Sequence, residues 1–342
     1  FGERFAQQFM SVSTSWVDSL IFSMAPLGVI TAIVGAIRVG GPSWLRGIIG
    51  RARETRAAAE VELMSSTSHE VCEIWNGDAI VRVMGSPQIQ QLLYFENVPD
   101  NLLEKIKKRR SAEGSTSTRS CYSGCPSAAE SGTSKYDAPN ISMNLSVLKK
   151  PWELYLAAAV GVLSQAAVIV VATYAAYTPH LQFNKTGLTV QKYSYPLTSI
   201  GTLLLVTGMF IAASVVERST HEDTYEKRSE MRITWAIQRG RVINDQTFDS
   251  YAIIADGPVD TVRTSSRQPS HKDSDSHASP LMRGFTVLGT VTSVVGFIFQ
   301  FIGLRGMHWS ASTAQLGATI LMTIVRALLR RGMAKRPSSV KL

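Results

Sequence analysis

Five stretches of this chain contain no Asp, Glu, Lys or Arg and are overwhelmingly apolar: Leu20–Ile37, Leu154–Tyr177, Leu197–Val216, Phe285–Leu304 and Met307–Val325. Each is about 18–24 residues long, the length of helix that crosses a hydrocarbon core of about 30 Å. A soluble core cannot surround five segments that are apolar on every face. The pattern predicts an α-helical transmembrane bundle of about five spans. Pro26 lies inside the first run, where neighbouring helices can satisfy the backbone group it frees. Trp16, Trp152, Tyr174, Tyr177, Tyr193, Tyr195 and Trp309 stand at run ends, where an amphipathic ring prefers the headgroup level.

Charge gives direction. Of the 35 Lys and Arg, 31 fall in Arg38–Lys150, Glu217–Arg283 and the tail from Arg326. Cytoplasmic loops retain Lys and Arg, so these segments are expected in the cytosol, and five crossings put the N-terminus outside and the C-terminus inside. The same residues produce the net charge of +9. No nucleic-acid-binding motif accompanies them, so nucleic acid is not an expected partner. Close to the membrane, Arg46, Arg51, Arg53, Lys149, Lys150, Arg330 and Arg331 are candidates for contact with lipid headgroups. The expected partners are the lipid bilayer, a cytosolic protein and a second copy of the chain. Asn184-Lys185-Thr186 is a glycosylation acceptor in the one sizeable outer loop; Asn140 and Asn144 match the same pattern on the cytosolic side, where it is unused.

Inside the spans, glycines recur seven apart: Gly28 and Gly35, Gly201 and Gly208, then Gly289, Gly296 and Gly303. That spacing keeps small residues on one helix stripe, which lets membrane helices approach closely. Gln165, Gln300 and Gln315 are the deepest polar residues, placed to bond between helices. Asp, Glu, Lys and Arg are absent from the four later runs, and this argues against an ion-coupled transporter.

The chain divides into an outer N-terminus with the first span (1–40), a cytosolic interfacial helix, hairpin and helices (41–110), and a linker rich in Ser, Thr, Gly and Ala (111–140). A strand and pre-span segment follow (141–153), then spans two and three with their outer loop (154–216) and a second cytosolic loop (217–283, disordered over 264–279). Spans four and five (284–325) and a basic cytosolic tail (326–342) complete it. Starting at Phe1, the sequence reads as a piece of a longer protein.

In the first polar segment, Trp44, Leu45, Ile48, Ile49 and Ala52 have helical spacing with arginines beside them, a pattern for a helix lying on the membrane and running on into Ala57–Leu63. Asn76-Gly77 between Val71–Trp75 and Asp78–Val83 predicts a hairpin with a two-residue turn. Pro87 opens a helix through Phe95, and Asp100 caps another through Arg110. Further strands are expected at Ser142–Val147, Arg232–Gln238 and Asp249–Ile254. An isolated hairpin is marginal in water. The two long loops are therefore expected to pair into a small α/β cytosolic module.

Ser65–Gly77, Asn244–Tyr251 and Leu304–Ser310 resemble a group of fungal multi-pass membrane proteins, some of which carry ankyrin repeats elsewhere in their chains. The resemblance implies a multi-pass fold along nearly the whole sequence. It brings no activity and no site residues, and no ankyrin pattern occurs here.

Chemistry is thin. Cys72, Cys121 and Cys125 are expected as reduced thiols, and the Cys121/Cys125 pair lacks further ligands for zinc. His69-Glu70 and His221-Glu222 have no second His four residues on. No phosphate loop, nucleophile elbow or kinase signature is present. No catalytic residue, metal or cofactor is implied. The sequence favours a membrane-anchored signalling or scaffold protein with a cytosolic interaction module; the alternatives are a channel-like oligomeric pore and a membrane-bound enzyme.

Overall fold

The computed structural model describes residues 15–25, 27–68, 70–85, 92–96, 140–142, 151–178, 191–226, 231–238, 240–243, 245–254, 261–267, 279–331 and 338–342. They fall into two compact units. One comprises residues 1–66, 146–221 and 267–335, the other 67–145, 222–266 and 336–342.

The first unit is helical: α1 (Trp16–Ser23), α2 (Val29–Gly40), α3 (Ser43–Ile48), α4 (Arg56–Leu63), α5 (Pro151–Tyr177), α6 (Ser194–Glu217), α7 (Pro280–Gly306) and α8 (Trp309–Leu329). Among the described residues, α5 to α8 are long and apolar enough to cross a membrane. Their packing is inverted relative to a soluble bundle. On α7 the buried positions are Thr286, Gly289, Ser293, Gly296, Gln300 and Gly303, while Leu288, Phe297 and Phe301 lie exposed. Small and polar side chains face the neighbours and large apolar ones face out, as helices do in lipid.

The buried positions of α7 alternate steps of three and four, the spacing of a left-handed seam. Its partner α6 runs antiparallel, and glycines of each helix meet the backbone of the other. A Cβ at Gly201 would lie 2.3 Å from the Gln300 nitrogen, one at Gly208 2.4 Å from that of Ser293, and one at Gly296 2.4 Å from that of Leu205. Gln300 donates from Nε2 to Thr202 Oγ1 across the pair at 3.0 Å.

The first apolar run departs from expectation. It is not one span but two short helices, α1 and α2, interrupted at residues 24–28. Gly28, with φ +78°, supplies the left-handed residue that starts α2. Asp18 at the start of α1 pairs with Arg330, which caps the end of α8. Ser19 donates to Glu217, the last residue of α6. A Cβ on Gly40, the last residue of α2, would meet Val215 near the end of α6 and Met282 near the start of α7. Both outer ends of the α1–α2 pair therefore sit at the same end of the bundle. Its tip reaches inward, where Met24 lies against Gly161 and Gln165 of α5. Gly161 is ten residues into α5, a depth of about 15 Å. Four long spans with an inserted helix pair replace the expected five spans.

The expected interfacial helix is also divided. Gly50, at φ +74°, follows α3, and Thr55 caps α4 by accepting from the Ala58 amide at 3.4 Å.

The second unit is rich in strand: β1 (Val71–Trp75), β2 (Ile80–Met84), β3 (Leu92–Glu96), β4 (Thr220–Glu226), β5 (Met231–Gln238), β6 (Arg241–Ile243), β7 (Gln246–Phe248), β8 (Tyr251–Ile254), β9 (Thr261–Arg267) and β10 (Ser338–Lys341). Thr220 and His221 of β4 and Arg267 of β9 are counted with the first unit. The sheet order β10-β8-β5-β3 joins strands from both long polar segments and the tail. Three expectations fail locally. Leu92–Glu96 is a strand rather than the end of a helix. Ile141 and Ser142 are helical, with residues 143–147 outside the described residues. Thr264–Arg267 belongs to β9 instead of a disordered stretch. For Leu92–Glu96 and Thr264–Arg267, pairing with a distant segment overrides local composition. The expected helix 100–110 lies outside the described residues.

The β1–β2 hairpin forms, with its turn shifted by one residue. Trp75 pairs with Ile80 and the Asn76 amide donates to the Ala79 carbonyl, so Gly77-Asp78 is the central pair. Asn76 stands before the turn and its Oδ1 accepts from the amides of Asp78 and Ala79, at 2.9 and 2.7 Å. The amide side chain of Gln238 grips the strand end: Oε1 accepts from Trp75 N at 2.7 Å and Nε2 donates to Trp75 O at 2.8 Å. Gln238→Leu is expected to speed hydrogen exchange at the Trp75 amide by about tenfold, the scale of one lost buried bond. Unchanged protection would show that the clamp contributes nothing.

Candidate functional site at the broken first helix

A helix ending within lipid leaves carbonyls with no water to accept from, at a cost of several kcal/mol each. The end of α1 is buried among the other helices, with Ile21, Phe22 and Ala25 fully enclosed, and two side chains from other helices reach it. Arg326, fully buried on α8, donates from Nη2 to the carbonyls of Ile21 and Ala25, each at 3.1 Å, and to that of Phe22. Its guanidinium stacks on the Phe22 ring, 4.9 Å from the centroid. Gln165 donates from Nε2 to the Met24 carbonyl at 2.6 Å. The carbonyl end of a helix carries partial negative charge, which a guanidinium complements.

The sequence folds this way because of register on α8. Ala311, Gln315, Ala318, Met322 and Arg326 are its buried positions, at steps of four, three, four and four. The stripe that packs inward as small and apolar side chains thus ends on an arginine. One turn further, Arg330 meets Asp18 at 3.4 Å, and Asp18 also accepts from Ser15 Oγ at 3.2 Å.

A second charged cluster holds α2 to α4. Arg38 donates from Nε to both oxygens of Glu54, at 3.1 and 2.9 Å, and from Nη1 to Glu62 at 2.6 Å. Such forked pairing is what the planar guanidinium is shaped for. Glu60 on α4 is fully buried and accepts from Ser66 Oγ at 2.9 Å and from Arg267 at 3.1 Å.

The residues singled out from sequence distribute as follows. Gly201, Gly208, Gly289, Gly296 and Gly303 line the α6–α7 seam; Gly28 and Gly35 belong to the broken pair, as a left-handed start and a buried position of α2. Gln165 and Gln300 bond between helices. Gln315 is buried, and neither atom of its amide group has a hydrogen-bond partner among the described residues. Arg46 is 5% exposed, so it is not an open headgroup contact, whereas Arg51, Arg53 and Arg331 are exposed. Arg330 is drawn into the pair with Asp18. Asn184, Lys149 and Lys150 lie outside the described residues.

Sequence reasoning missed Arg326 and Glu217 by assigning both to the polar segments beyond the spans. The available signal was the apolar continuation Ala327-Leu328-Leu329 past Arg326, together with the buried stripe of α8. A buried charge therefore stands on α8 one residue beyond the charge-free run Met307–Val325.

Cys72 is buried on β1 and its thiol is pushed up to about 12, by burial first and then by the neighbouring Glu73, with Arg82 opposing. A thiol reacts as thiolate. At pH 8 Cys72 is expected to resist maleimide in a chain carrying Cys121→Ser and Cys125→Ser, and to react once the chain is unfolded; rapid native labelling would contradict its burial.

Among the described residues, no group of three or more His, Cys, Asp and Glu gathers as a metal site. No protein-family model, curated protein or solved structure matches this chain.

Proposed function

We propose that this protein is a membrane-anchored signalling or scaffold protein, whose four spans and inserted α1–α2 pair fix a cytosolic interaction module to one side of a bilayer. The observation that carries the reading is the shared end of the helices. The start of α1, the ends of α2, α6 and α8 and the start of α7 lie together, and from that end the chain runs into its long basic segments. The opposite end carries the short connections 178–193 and 307–308. The distribution of Lys and Arg supports a cytosolic setting for the crowded end, now with both termini on that side. The sheet built from β3, β5, β8 and β10 supports pairing of the two loops into one α/β module. Tight α6–α7 packing and the engaged Arg326 favour an anchor over a conduit.

Epitopes at both ends and near residues 120 and 270 test the layout in sealed vesicles. All four are expected to be digested by protease from the cytosolic side, with Asn184 glycosylated on the other. A protected N-terminal epitope would restore a fifth crossing. Cross-linking in intact cells tests the interaction role: a defined cytosolic protein is expected joined to 67–145 or 222–266, and adducts confined to the spans would oppose it.

The unpartnered amide of Gln315 favours a second reading, a channel-like oligomer with polar groups meeting along a path. Proteoliposomes of the wild type are expected to show no ion flux. A conductance abolished by Gln315→Leu would replace the scaffold reading.

A further inference from the structure

Asn140, Ile141 and Ser142 form a short piece of chain that the second unit receives residue by residue. Asn140 is fully enclosed, and its Oδ1 accepts from the Ser265 amide at 2.9 Å and from Thr67 Oγ1 at 3.1 Å. Ile141 packs with Trp75 and Ile253, each of the three at most 3% exposed. Ser142 donates to both oxygens of Glu73, from its amide at 2.8 Å and from its hydroxyl at 2.7 Å. Glu73 and Trp75 stand on β1, Ile253 on β8 and Ser265 on β9. Main-chain pairing gives affinity to any sequence, whereas side-chain contacts of this kind select residue types.

The site is well defined yet not fully satisfied by what it holds. Glu73 is 1% exposed, with Arg82 at 3.5 Å, so the two bonds from Ser142 are charge-assisted and belong to the strong class. The Trp75 indole Nε1 and the Ser265 hydroxyl, by contrast, are buried with no hydrogen-bond partner among the described residues. Each such group destabilises the occupied state, and a peptide offering them acceptors would bind better. The chain also carries the pattern twice, since Asn144-Leu145-Ser146 repeats Asn, aliphatic, Ser four residues on.

We propose that this is a recognition site for peptides of the form Asn-aliphatic-Ser, filled in cis by residues 140–142, and that a cytosolic partner docks by presenting the same triplet in their place. The proposal rests on the scaffold reading and names the chemistry of its partner. The tether gives the cis triplet a high effective concentration, so occupancy responds to the concentration of the partner.

The probe is the fluorescein-labelled peptide Ala-Pro-Asn-Ile-Ser-Met, and the reading is its anisotropy with the full chain in micelles. A chain carrying Asn140→Ala, Ser142→Ala, Asn144→Ala and Ser146→Ala lacks both cis triplets. It is expected to bind the peptide at least about tenfold more tightly than the wild type, because a tethered competitor is lost. Glu73→Gln added to that chain is expected to weaken binding at least about tenfold, the scale of one charge-assisted bond. A peptide with the triplet scrambled is expected not to bind. No binding to a four-alanine chain that elutes as the wild type does, or equal binding of the scrambled peptide, would overturn the site. If the four substitutions unfold the chain, the wild type decides. At millimolar peptide with a diazirine-bearing leucine in place of its isoleucine, cross-links are expected within 71–75 or 251–254, and cross-links only elsewhere would overturn the site. A cytosolic protein still joined to 67–145 or 222–266 after such a result would keep the scaffold reading and remove this site from it.

Discussion

Gly296→Leu is expected to destroy the folded bundle, while Val294→Leu two residues away leaves it intact. The added Cβ at Gly296 would lie 2.4 Å from the backbone nitrogen of Leu205 and 2.8 Å from the Leu204 carbonyl carbon. Backbone atoms inside a helix cannot rotate aside as a side-chain tip can, so the whole of α6 would have to retreat from α7. Separation at that point also undoes the approaches at Gly201, Gly208 and Gly303, since one rigid seam carries all four. Overpacking a well-fitted core costs about 1–3 kcal/mol even where neighbours can shift. A backbone clash in the middle of the seam should exceed about 3 kcal/mol. Val294 is 42% exposed on the outer face of α7, where a leucine meets lipid. Thermal unfolding in detergent, followed by size-exclusion profile, separates the two: the Gly296 variant is expected to aggregate or elute broadly at temperatures where the Val294 variant remains monodisperse. Equal melting would show that the glycine stripe is compositional and carries no packing.

This seam was legible because its signal is local and periodic. Glycines seven apart report a helix face directly, and Gln300 in the same register bonds across it. The limits of the spans were less legible. Hydropathy counts residues in sequence, and Leu20–Ile37 has the length of a crossing, yet Pro26-Leu27-Gly28 in its middle allows the chain to turn back. Whether it does depends on what receives the broken backbone. That receiver is Arg326, about three hundred residues away in sequence, and nothing local to either segment announces the partnership. The same blindness affected the second unit. Leu92–Glu96 and Thr261–Arg267 become strands by pairing with distant segments, information that propensity does not hold. The hairpin at Asn76-Gly77 was readable, apart from the one-residue shift that the side chain of Asn76 imposes by taking two backbone amides for itself.

Arg326→Leu follows from that partnership and is the more discriminating experiment. In the wild type one guanidinium nitrogen serves the carbonyls of Ile21, Phe22 and Ala25. Leucine matches the lipid environment and would raise the apolarity of α8, so hydropathy alone forecasts a tolerated or even favourable change. The structure forecasts the opposite. The carbonyls of Ile21 and Phe22 would lose their donor, at about 1–3 kcal/mol for each buried group left unsatisfied, while that of Ala25 keeps the Leu27 amide at 2.7 Å. The loss should therefore reach at least about 2 kcal/mol. Arg326→Lys keeps the charge and a donor nitrogen on a shorter side chain, and is expected to recover part of the stability. Ala25 is fully buried beside the break, which supplies a local readout. In a chain otherwise free of cysteine, Ala25→Cys is expected to resist a membrane-permeant maleimide while Arg326 is present, and to react when leucine replaces it, because the tip of the inserted pair can then leave its site. If the leucine variant melts with the wild type and keeps the introduced thiol protected, the arginine does not hold the pair in place, and α1 and α2 stay inserted by apolar packing alone.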